Sequence, residues 1–192
     1  MNKILLVSGH PDFEKESVAN RAAFETLTKL LPEAEVNRLD VLYPNYIFDV
    51  EKEQAKLVEA DVIVFQYPIF WYGMPALLQK WIEDVFLNGF SHGPKGKALV
   101  GKKLVLLMTA GAPESYYNGE NAVSESDLLL PIKGIVEATG MELSGYEILY
   151  GVSYGTRINE DISREYAEKA RGTARKVVEL VKTLANNNEQ NR

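Results

Sequence analysis

The chain has 192 residues with 46% apolar side chains, which suits one compact domain built around one core. Its formal charge of −6, without a block of consecutive basic residues, argues against nucleic acid or an anionic membrane surface as a partner. It lacks cysteine, so disulfides and thiolate sites are excluded, no metal site is expected, and we expect a cytoplasmic protein. The apolar run Ile4–Val7 is too short for a signal peptide, and no segment approaches membrane-spanning length, so no direct membrane insertion is expected.

Apolar runs alternate with helical stripes along the chain, in the pattern that builds a parallel sheet covered on both faces. The predicted strands are Lys3–Ser8, Glu35–Leu39, Asp61–Tyr67, Lys102–Thr109 and Met141–Tyr150. The predicted helices are Ser17–Leu31, Glu51–Glu59, a third that opens at Pro75, Glu125–Thr139 and Asn159–Leu184. Residues 1–185 are expected to form a single domain, and residues 186–192 a frayed polar tail.

Five strands with intervening helices predict an α/β fold with a doubly wound, five-stranded parallel sheet in the order 2-1-3-4-5. In such a sheet, ligands bind in the crevice at the carboxyl ends of the first and third strands. Three loops leave the first, third and fourth strands, and they read GHPDFEKESVAN, YPIFWYGMP and TAGAPESYYNGEN. These loops converge by topology, so they form the candidate site.

The first loop has the features of an anion site. Ser17 stands at a predicted N-cap, and the following amides, those of Val18, Ala19 and Asn20, would face the crevice at the positive end of the helix dipole. His10 could donate a ring hydrogen to a phosphate there. The alternative is a plain serine cap beside a solvated histidine. The chain has neither a G-x-G-x-x-G nor a P-loop sequence, so the phosphate would belong to another kind of ligand.

The second loop is aromatic, and the third offers small residues and hydroxyls. Tyr67, Phe70, Trp71 and Tyr72 follow one another closely in the second loop and could cover a flat heteroaromatic ring. The alternative is that Phe70 and Trp71 fill a gap beneath a helix. In the third loop Gly111 permits close backbone approach, and the hydroxyls come from Thr109, Tyr116 and Tyr117.

Several motifs together carry a family resemblance. They are GHP after the first strand, SVAN at the helix start, YPIFWYGMPALLQKWIEDVF, TAGAPESYY, and LYP before the second helix. With these motifs the chain resembles the flavodoxin-fold NAD(P)H:quinone oxidoreductases over most of its length. It is also similar to short members that serve as flavin-binding regulatory subunits of glutathione-gated potassium efflux systems.

The resemblance implies a flavodoxin-like fold, a flavin cofactor (FMN or FAD), NAD(P)H as co-substrate and a quinone-like acceptor. The residues it implies at the flavin phosphate are His10, Ser17, Val18, Ala19 and Asn20. Those implied along the flavin ring are Pro68, Ile69, Phe70 and Trp71, and those along its other edge are Thr109, Ala110, Gly111, Ala112, Pro113 and Tyr116.

The chain departs from the family pattern in two places. It has Thr109–Ala112 as Thr-Ala-Gly-Ala where the family often has Thr-Thr-Gly-Gly, so one hydroxyl is lost. Better-known members place a tyrosine and a histidine over the flavin; here Tyr117 is present, but no histidine follows it. The resemblance therefore implies Tyr117, or water, as the group that moves protons during hydride transfer.

The main alternative function is a flavin-binding regulatory subunit of a membrane potassium efflux system, and two other functional classes also compete with this interpretation. GVSYG at Gly151–Gly155 matches the G-x-S-x-G motif of serine hydrolases, but both histidines, His10 and His92, precede Ser153, which is the wrong chain order. The segment is better interpreted as a flexible loop near the flavin. A one-electron carrier of the flavodoxin type is disfavoured because such proteins usually have a Ser/Thr-rich first loop, which this chain lacks.

The connector LYPNYIFDV is unusually apolar for a surface segment. Its apolar side chains are Leu42, Tyr43, Tyr46, Ile47, Phe48 and Val50, and a monomer would expose them. Similar quinone oxidoreductases are homodimers, so the resemblance also implies a homodimer. We expect Tyr46 or Phe48 to lie near the flavin crevice of the partner subunit.

Overall fold

The computed structural model describes residues 3–120 and 123–190. Its strands are β1 (Ile4–Ser8), β2 (Glu35–Arg38), β3 (Val62–Pro68), β4 (Lys103–Thr109) and β5 (Glu142–Leu149). Its helices are α1 (Phe13–Glu16), α2 (Ala19–Leu30), α3 (Leu39–Leu42), α4 (Val50–Glu59), α5 (Ala76–Val85), α6 (Glu125–Leu128), α7 (Leu130–Thr139), α8 (Gly155–Ile158) and α9 (Glu160–Gln190), with a 3₁₀ helix at Glu114–Tyr117.

The strands form one parallel sheet in the order β2-β1-β3-β4-β5, which confirms the predicted topology. β1 and β3 are buried along their whole length, as continuous apolar runs require. Alternate residues of β1 enter different cores: Leu5 lies in the core covered by α5, and Leu6 in the core covered by α2 and α9. The sheet is therefore covered on both faces, and its carboxyl edge is left for the loops.

The structure differs from the prediction at the end of β2 and at the start of α2. β2 ends at Arg38 because Leu39, fully buried, opens the short helix α3. Ser17 is not the N-cap of α2, so that prediction is wrong. Val18 holds the cap position with helical dihedrals, because α1 brings the chain in as helix rather than in the extended form that a cap needs.

The C-terminal half also differs in its helix boundaries. The helix predicted at Glu125–Thr139 is divided into α6 and α7, and Pro131, which has no amide hydrogen to donate, lies in the first turn of α7. The last helix extends past the predicted Leu184 to Gln190, so residues 186–190 of the predicted tail continue α9. Residues 191–192 lie outside the described residues.

A buried polar network joins α4 to the elements around it. Glu53 is fully buried, and its Oε1 accepts hydrogen bonds from the Tyr43 hydroxyl at 2.8 Å and from Lys56 Nζ at 2.5 Å. Its Oε2 accepts from Trp81 Nε1 at 2.9 Å and from the Asn37 amide. Lys56 Nζ also donates to Asn37 Oδ1 at 2.5 Å. One carboxylate thus links β2, α4, α5 and the start of the apolar connector.

The connector is less exposed than predicted. Tyr43 and Phe48 are each only 9% exposed, and their rings pack edge to face at 5.1 Å within the core. The prediction that a monomer would expose Tyr43 and Phe48 is therefore wrong, because the chain folds back and packs the two rings against each other. Leu42, Tyr46 and Ile47 remain on the surface, with Ile47 79% exposed.

Candidate functional site

An open cavity of about 230 Å³ lies at the carboxyl edge of the sheet. The predicted site residues that line it are His10, Ser17, Val18, Asn20, Pro68, Ile69, Phe70, Thr109 and Gly111. Seven other predicted site residues do not line it: Ala19, Trp71, Ala110, Ala112, Pro113, Tyr116 and Tyr117. The three predicted loops thus meet at one cavity, as the topology indicated, but only part of each loop faces it.

Four buried polar side chains form the base of this edge. Gln66 Nε2 donates to Asn20 Oδ1 at 2.6 Å, and Thr109 Oγ1 donates to the same oxygen at 3.1 Å. Ser8 Oγ donates to Gln66 Oε1 at 3.2 Å. The network ties the start of α2 to β1, β3 and β4, so the first and third loops are held in fixed relation to each other.

The start of α2 has the features of an anion site although Ser17 is not its N-cap residue. Ser17 is 6% exposed and lines the cavity, and its Oγ accepts from the Arg21 amide at 3.3 Å. The amides of Ala19 and Asn20 belong to the first turn, where helix geometry offers no intrahelical acceptor. The helix dipole adds positive potential at the same end.

His10 is a buried neutral donor on the cavity wall. It is 2% exposed, and the Asp12 amide donates to its Nδ1 at 3.0 Å. Because Nδ1 accepts this bond, the neutral ring carries its hydrogen on Nε2. Burial lowers the pKa of His10 from 6.5 to about 4; the Arg38 and Arg157 cations act in the same direction, and Asp40 and Asp12 oppose them. The ring is therefore neutral at pH 7.

This depressed pKa predicts a pH-dependent stability. The folded pKa lies below the unfolded one, so the unfolded chain takes up the proton first as the pH falls. The contribution is fully present above about pH 6.5 and is lost as the pH falls to about 4. We expect wild type to lose up to about 3 kcal/mol of unfolding free energy more than His10→Gln across this interval, measured by urea denaturation. Parallel pH profiles for the two proteins would contradict the assignment.

The second loop contains a strained two-residue turn. Phe70 and Gly73 exchange backbone hydrogen bonds at 3.0 Å, and Trp71 (φ 47°) and Tyr72 (φ 67°) between them both have positive φ. Such φ values suit glycine and asparagine, so each residue costs about 1–3 kcal/mol of strain. The turn leaves Phe70 on the cavity wall and Trp71 96% exposed to solvent. Trp71 is therefore not a wall of this cavity.

The third loop turns its tyrosines away from the cavity. Tyr117 is 8% exposed and packs in a small core with Ala110 and Leu128. Burial, with a contribution from Tyr116, raises the pKa of Tyr117. Tyr116 instead meets Tyr72, with 3.3 Å between the hydroxyl oxygens. Tyr117 does not line the cavity, so the proton-transfer role predicted for it has no support in this geometry.

A fourth loop, which follows β5, completes the cavity and was only partly foreseen. Its lining residues are Val152, Ser153 and Tyr154, and Thr156 and Arg157 of α8, which follows it, line the cavity as well. The Val152 amide donates to Ala110 O at 2.9 Å, which holds this loop against the third. The Arg157 guanidinium carbon lies 5.0 Å from the Tyr154 ring centroid. The loops at the carboxyl ends of parallel strands lie at one edge of the sheet, and this rule applies to β5 as well. It could have predicted that Arg157, which follows β5, lies beside an anion site.

Comparison with known proteins identifies the family. A family model described as the flavodoxin-like fold matches residues 2–173. The chain belongs to this family. This flavodoxin-like protein is 38% identical over 153 residues to the uncharacterized NAD(P)H oxidoreductase YrkL of Bacillus subtilis, covering 78% of this chain and 86% of that protein.

Two further comparisons extend the picture. The protein is 41% identical over 133 residues to the glutathione-regulated potassium-efflux system ancillary protein KefG of Escherichia coli, covering 68% of this chain and 71% of KefG. It superposes with a TM-score of 0.73 and 24% identity on general stress protein 14 of Treponema denticola, solved in complex with FMN, covering 90% of this chain and 99% of that one. The similarity to the Treponema denticola structure shows that the two proteins share a fold.

The hydrolase interpretation fails on the chemistry of His10. Ser153 and His10 do line the same cavity of this flavodoxin-like protein. A catalytic histidine must accept the serine proton on Nε2 while Nδ1–H donates to a carboxylate. His10 has the opposite arrangement, since its Nδ1 accepts from a backbone amide. Ser153 is therefore part of a loop rather than an activated nucleophile.

Residues 3–120 and 123–190 contain neither a helix that could span a membrane nor a cluster of metal-binding side chains. No helix in these ranges has the length and apolar content needed to cross a bilayer. The same ranges hold no group of three or more histidine and carboxylate side chains placed to bind a metal ion.

Proposed function

We propose that this protein is an NAD(P)H-dependent flavin oxidoreductase that passes a hydride from NAD(P)H, through bound FMN, to a quinone or a similar electrophile. One observation carries the proposal: a single cavity has an anion-binding end beside an apolar wall. The anion-binding end is formed by His10, Ser17 and the amides of the first turn of α2, and the apolar wall is formed by Pro68–Phe70.

The donors at the polar end fit a phosphate monoester. A neutral histidine with Nε2–H, a serine hydroxyl and helix amides all donate hydrogen bonds, which phosphate oxygens accept. Arg157, on the same cavity wall, adds a positive charge. FMN carries one such phosphate; FAD would need room for a second phosphate and an adenosine.

The other end fits a flat ring. Pro68 ends β3, and the amide of the next residue, Ile69, donates to Thr109 O at 2.8 Å, so this wall is fixed to β4. Phe70, 42% exposed, extends the apolar surface toward solvent. Bound flavin would supply the two-electron chemistry, while the anion end of the cavity would hold its phosphate and Pro68–Phe70 would line its ring. The proton for the reduced acceptor comes from water in the open cavity.

The relatives support the same function. The name of YrkL gives it as an NAD(P)H oxidoreductase, and the Treponema denticola protein of similar fold was solved with FMN. Because the reaction draws on NAD(P)H, we place the protein in the cytoplasm.

The absorbance spectrum of the purified protein tests the proposal. We expect flavin bands in the visible region, release of a compound with the mass of FMN on denaturation, and NAD(P)H oxidation that depends on added quinone. An apoprotein that binds neither FMN nor FAD at micromolar concentrations would refute it.

KefG favours a second role, as a flavin-binding ancillary subunit of a potassium efflux system. The two roles differ in one measurement. A regulator would bind FMN tightly yet show no quinone-dependent NAD(P)H oxidation, whereas the oxidoreductase would show both.

We also propose a homodimer. The exposed connector residues Leu42, Tyr46 and Ile47, together with the preceding Val41, offer an apolar surface that a second copy would cover. Sedimentation equilibrium at micromolar concentration tests this proposal, and the mass of a monomer at that concentration would refute it.

A further inference from the structure

Three side chains form a stack beside the cavity. The Arg38 guanidinium carbon lies 4.6 Å from the centroid of the Phe13 ring. The Phe13 ring also stacks on the His10 ring, with centroids 4.9 Å apart and planes 17° from parallel. Phe13 and His10 are both 2% exposed. The stack therefore runs from the end of β2, through α1, to the cavity wall.

The outer layer of the stack is anchored. Arg38 donates from Nε to Asp40 Oδ1 at 3.1 Å and from Nη2 to Asp40 Oδ2 at 2.5 Å. Its Nη1 lies 3.9 Å from Glu14 Oε1. A two-point bond to a carboxylate fixes the plane of a guanidinium, which a lysine ammonium could not reproduce. Arg38 therefore presents a flat cation to Phe13.

The two inner side chains of the stack, His10 and Phe13, also contact other residues of the chain. The Asp12 amide holds His10 Nδ1, and the Phe70 ring meets His10 edge-on at a centroid distance of 6.4 Å. Phe13 belongs to α1, a helix of four residues, and packs against Phe24 at 5.6 Å. So short a helix is not stable by itself, so the position of the Phe13 face depends on its neighbours.

We propose that Arg38 is a positioning residue for the anion end of the cavity: it holds Phe13 against His10 and so fixes the direction of the His10 Nε2–H toward a bound phosphate. Arg38 acts through Phe13 and is not itself a phosphate ligand. The proposal rests on the proposed function only in taking that phosphate to be the one of FMN.

Riboflavin, which has the same ring without the phosphate, separates this role from a general structural one. In Arg38→Ala we expect FMN affinity to fall about 3- to 30-fold, while riboflavin affinity changes less than about twofold. In a His10→Ala background the same substitution should cost no further FMN affinity. Arg38→Lys keeps the charge but loses the two-point bond to Asp40, so its FMN affinity should lie between those of wild type and Arg38→Ala.

Matched controls and a second readout complete the experiment. Arg175→Ala removes an arginine of α9 that pairs with Glu168 and does not line the cavity, and FMN affinity should not change. NMR resonances of the His10 ring report its orientation without any flavin. They are easily assigned because the chain has only two histidines. We expect them to shift in Arg38→Ala.

Each contrary result is specific. Equal losses of FMN and riboflavin affinity, or an FMN loss that persists in the His10→Ala background, would overturn the positioning role. Unchanged His10 resonances in Arg38→Ala and Arg38→Lys would overturn it whether or not flavin binds. Failure of the wild-type protein to bind any flavin would instead refute the proposed function, and the resonances would still decide the stack.

Discussion

Glu53→Ala is expected to lower the free energy of unfolding by about 3–5 kcal/mol, because removing one partner of a buried ion pair leaves the other uncompensated. Glu53 is fully buried, and Lys56, its ion-pair partner at 2.5 Å, has 9% of its side chain exposed. The substitution would also leave the Tyr43 hydroxyl and Trp81 Nε1 without an acceptor. Urea denaturation followed by circular dichroism measures the loss.

Two other variants test this interpretation. Glu51→Ala, on the exposed side of the same helix, should change stability by less than about 0.5 kcal/mol. Replacing Glu53 and Lys56 together by methionine removes both charges and should recover part of the loss. A Glu53→Ala protein within about 1 kcal/mol of wild type would show that the network adds little to stability.

Ser17→Asp is expected to weaken FMN binding about 100- to 1,000-fold, because two unit charges about 4 Å apart repel by about 4 kcal/mol at an effective dielectric constant of 20. Ser17 lines the anion end of the cavity, so the new carboxylate would compete with the phosphate for the same donors. Riboflavin, without a phosphate, should lose little affinity. Calorimetric titration of the apoprotein measures both.

The folded protein itself should tolerate this charge. A carboxylate at the start of α2 interacts favourably with the helix dipole, so thermal stability should not fall. Ser17→Asn, which has the same shape without the charge, is the matched control and should retain most of the FMN affinity. If Asp and Asn at this position weaken FMN equally, the loss is steric, and the phosphate does not lie at Ser17.

The parallel sheet was predictable because strands alternate with helices along the sequence. The apolar runs of β1 and β3 are long enough to be buried strands, and alternation with helices leaves few ways to connect them. Helix ends were less predictable. Serine is a residue type that favours N-caps, so Ser17 was a reasonable prediction. The backbone conformation there is instead determined by α1, a short helix that packs Phe13 on His10.

Side-chain direction in the loops could not be predicted from composition. Phe70 and Trp71 are adjacent aromatics, and only the hairpin between Phe70 and Gly73 decides that the first lines the cavity and the second faces solvent. Phe48 was expected to be exposed and Tyr117 to lie over the flavin, but Phe48 packs against Tyr43 and Tyr117 packs with Leu128. These partners are near in sequence, yet the residue types alone do not show that each loop folds back to bury the aromatic ring.

The strained turn that exposes Trp71 also gives the protein two distinct optical probes. Its only other tryptophan, Trp81, is fully buried beside Phe65 and bonded to Glu53. Trp71 fluorescence should emit at long wavelength and be quenched by iodide, whereas Trp81 should emit at short wavelength and escape the quencher. One intrinsic signal therefore reports events at the mouth of the cavity, and the other reports the integrity of the core, without any added label.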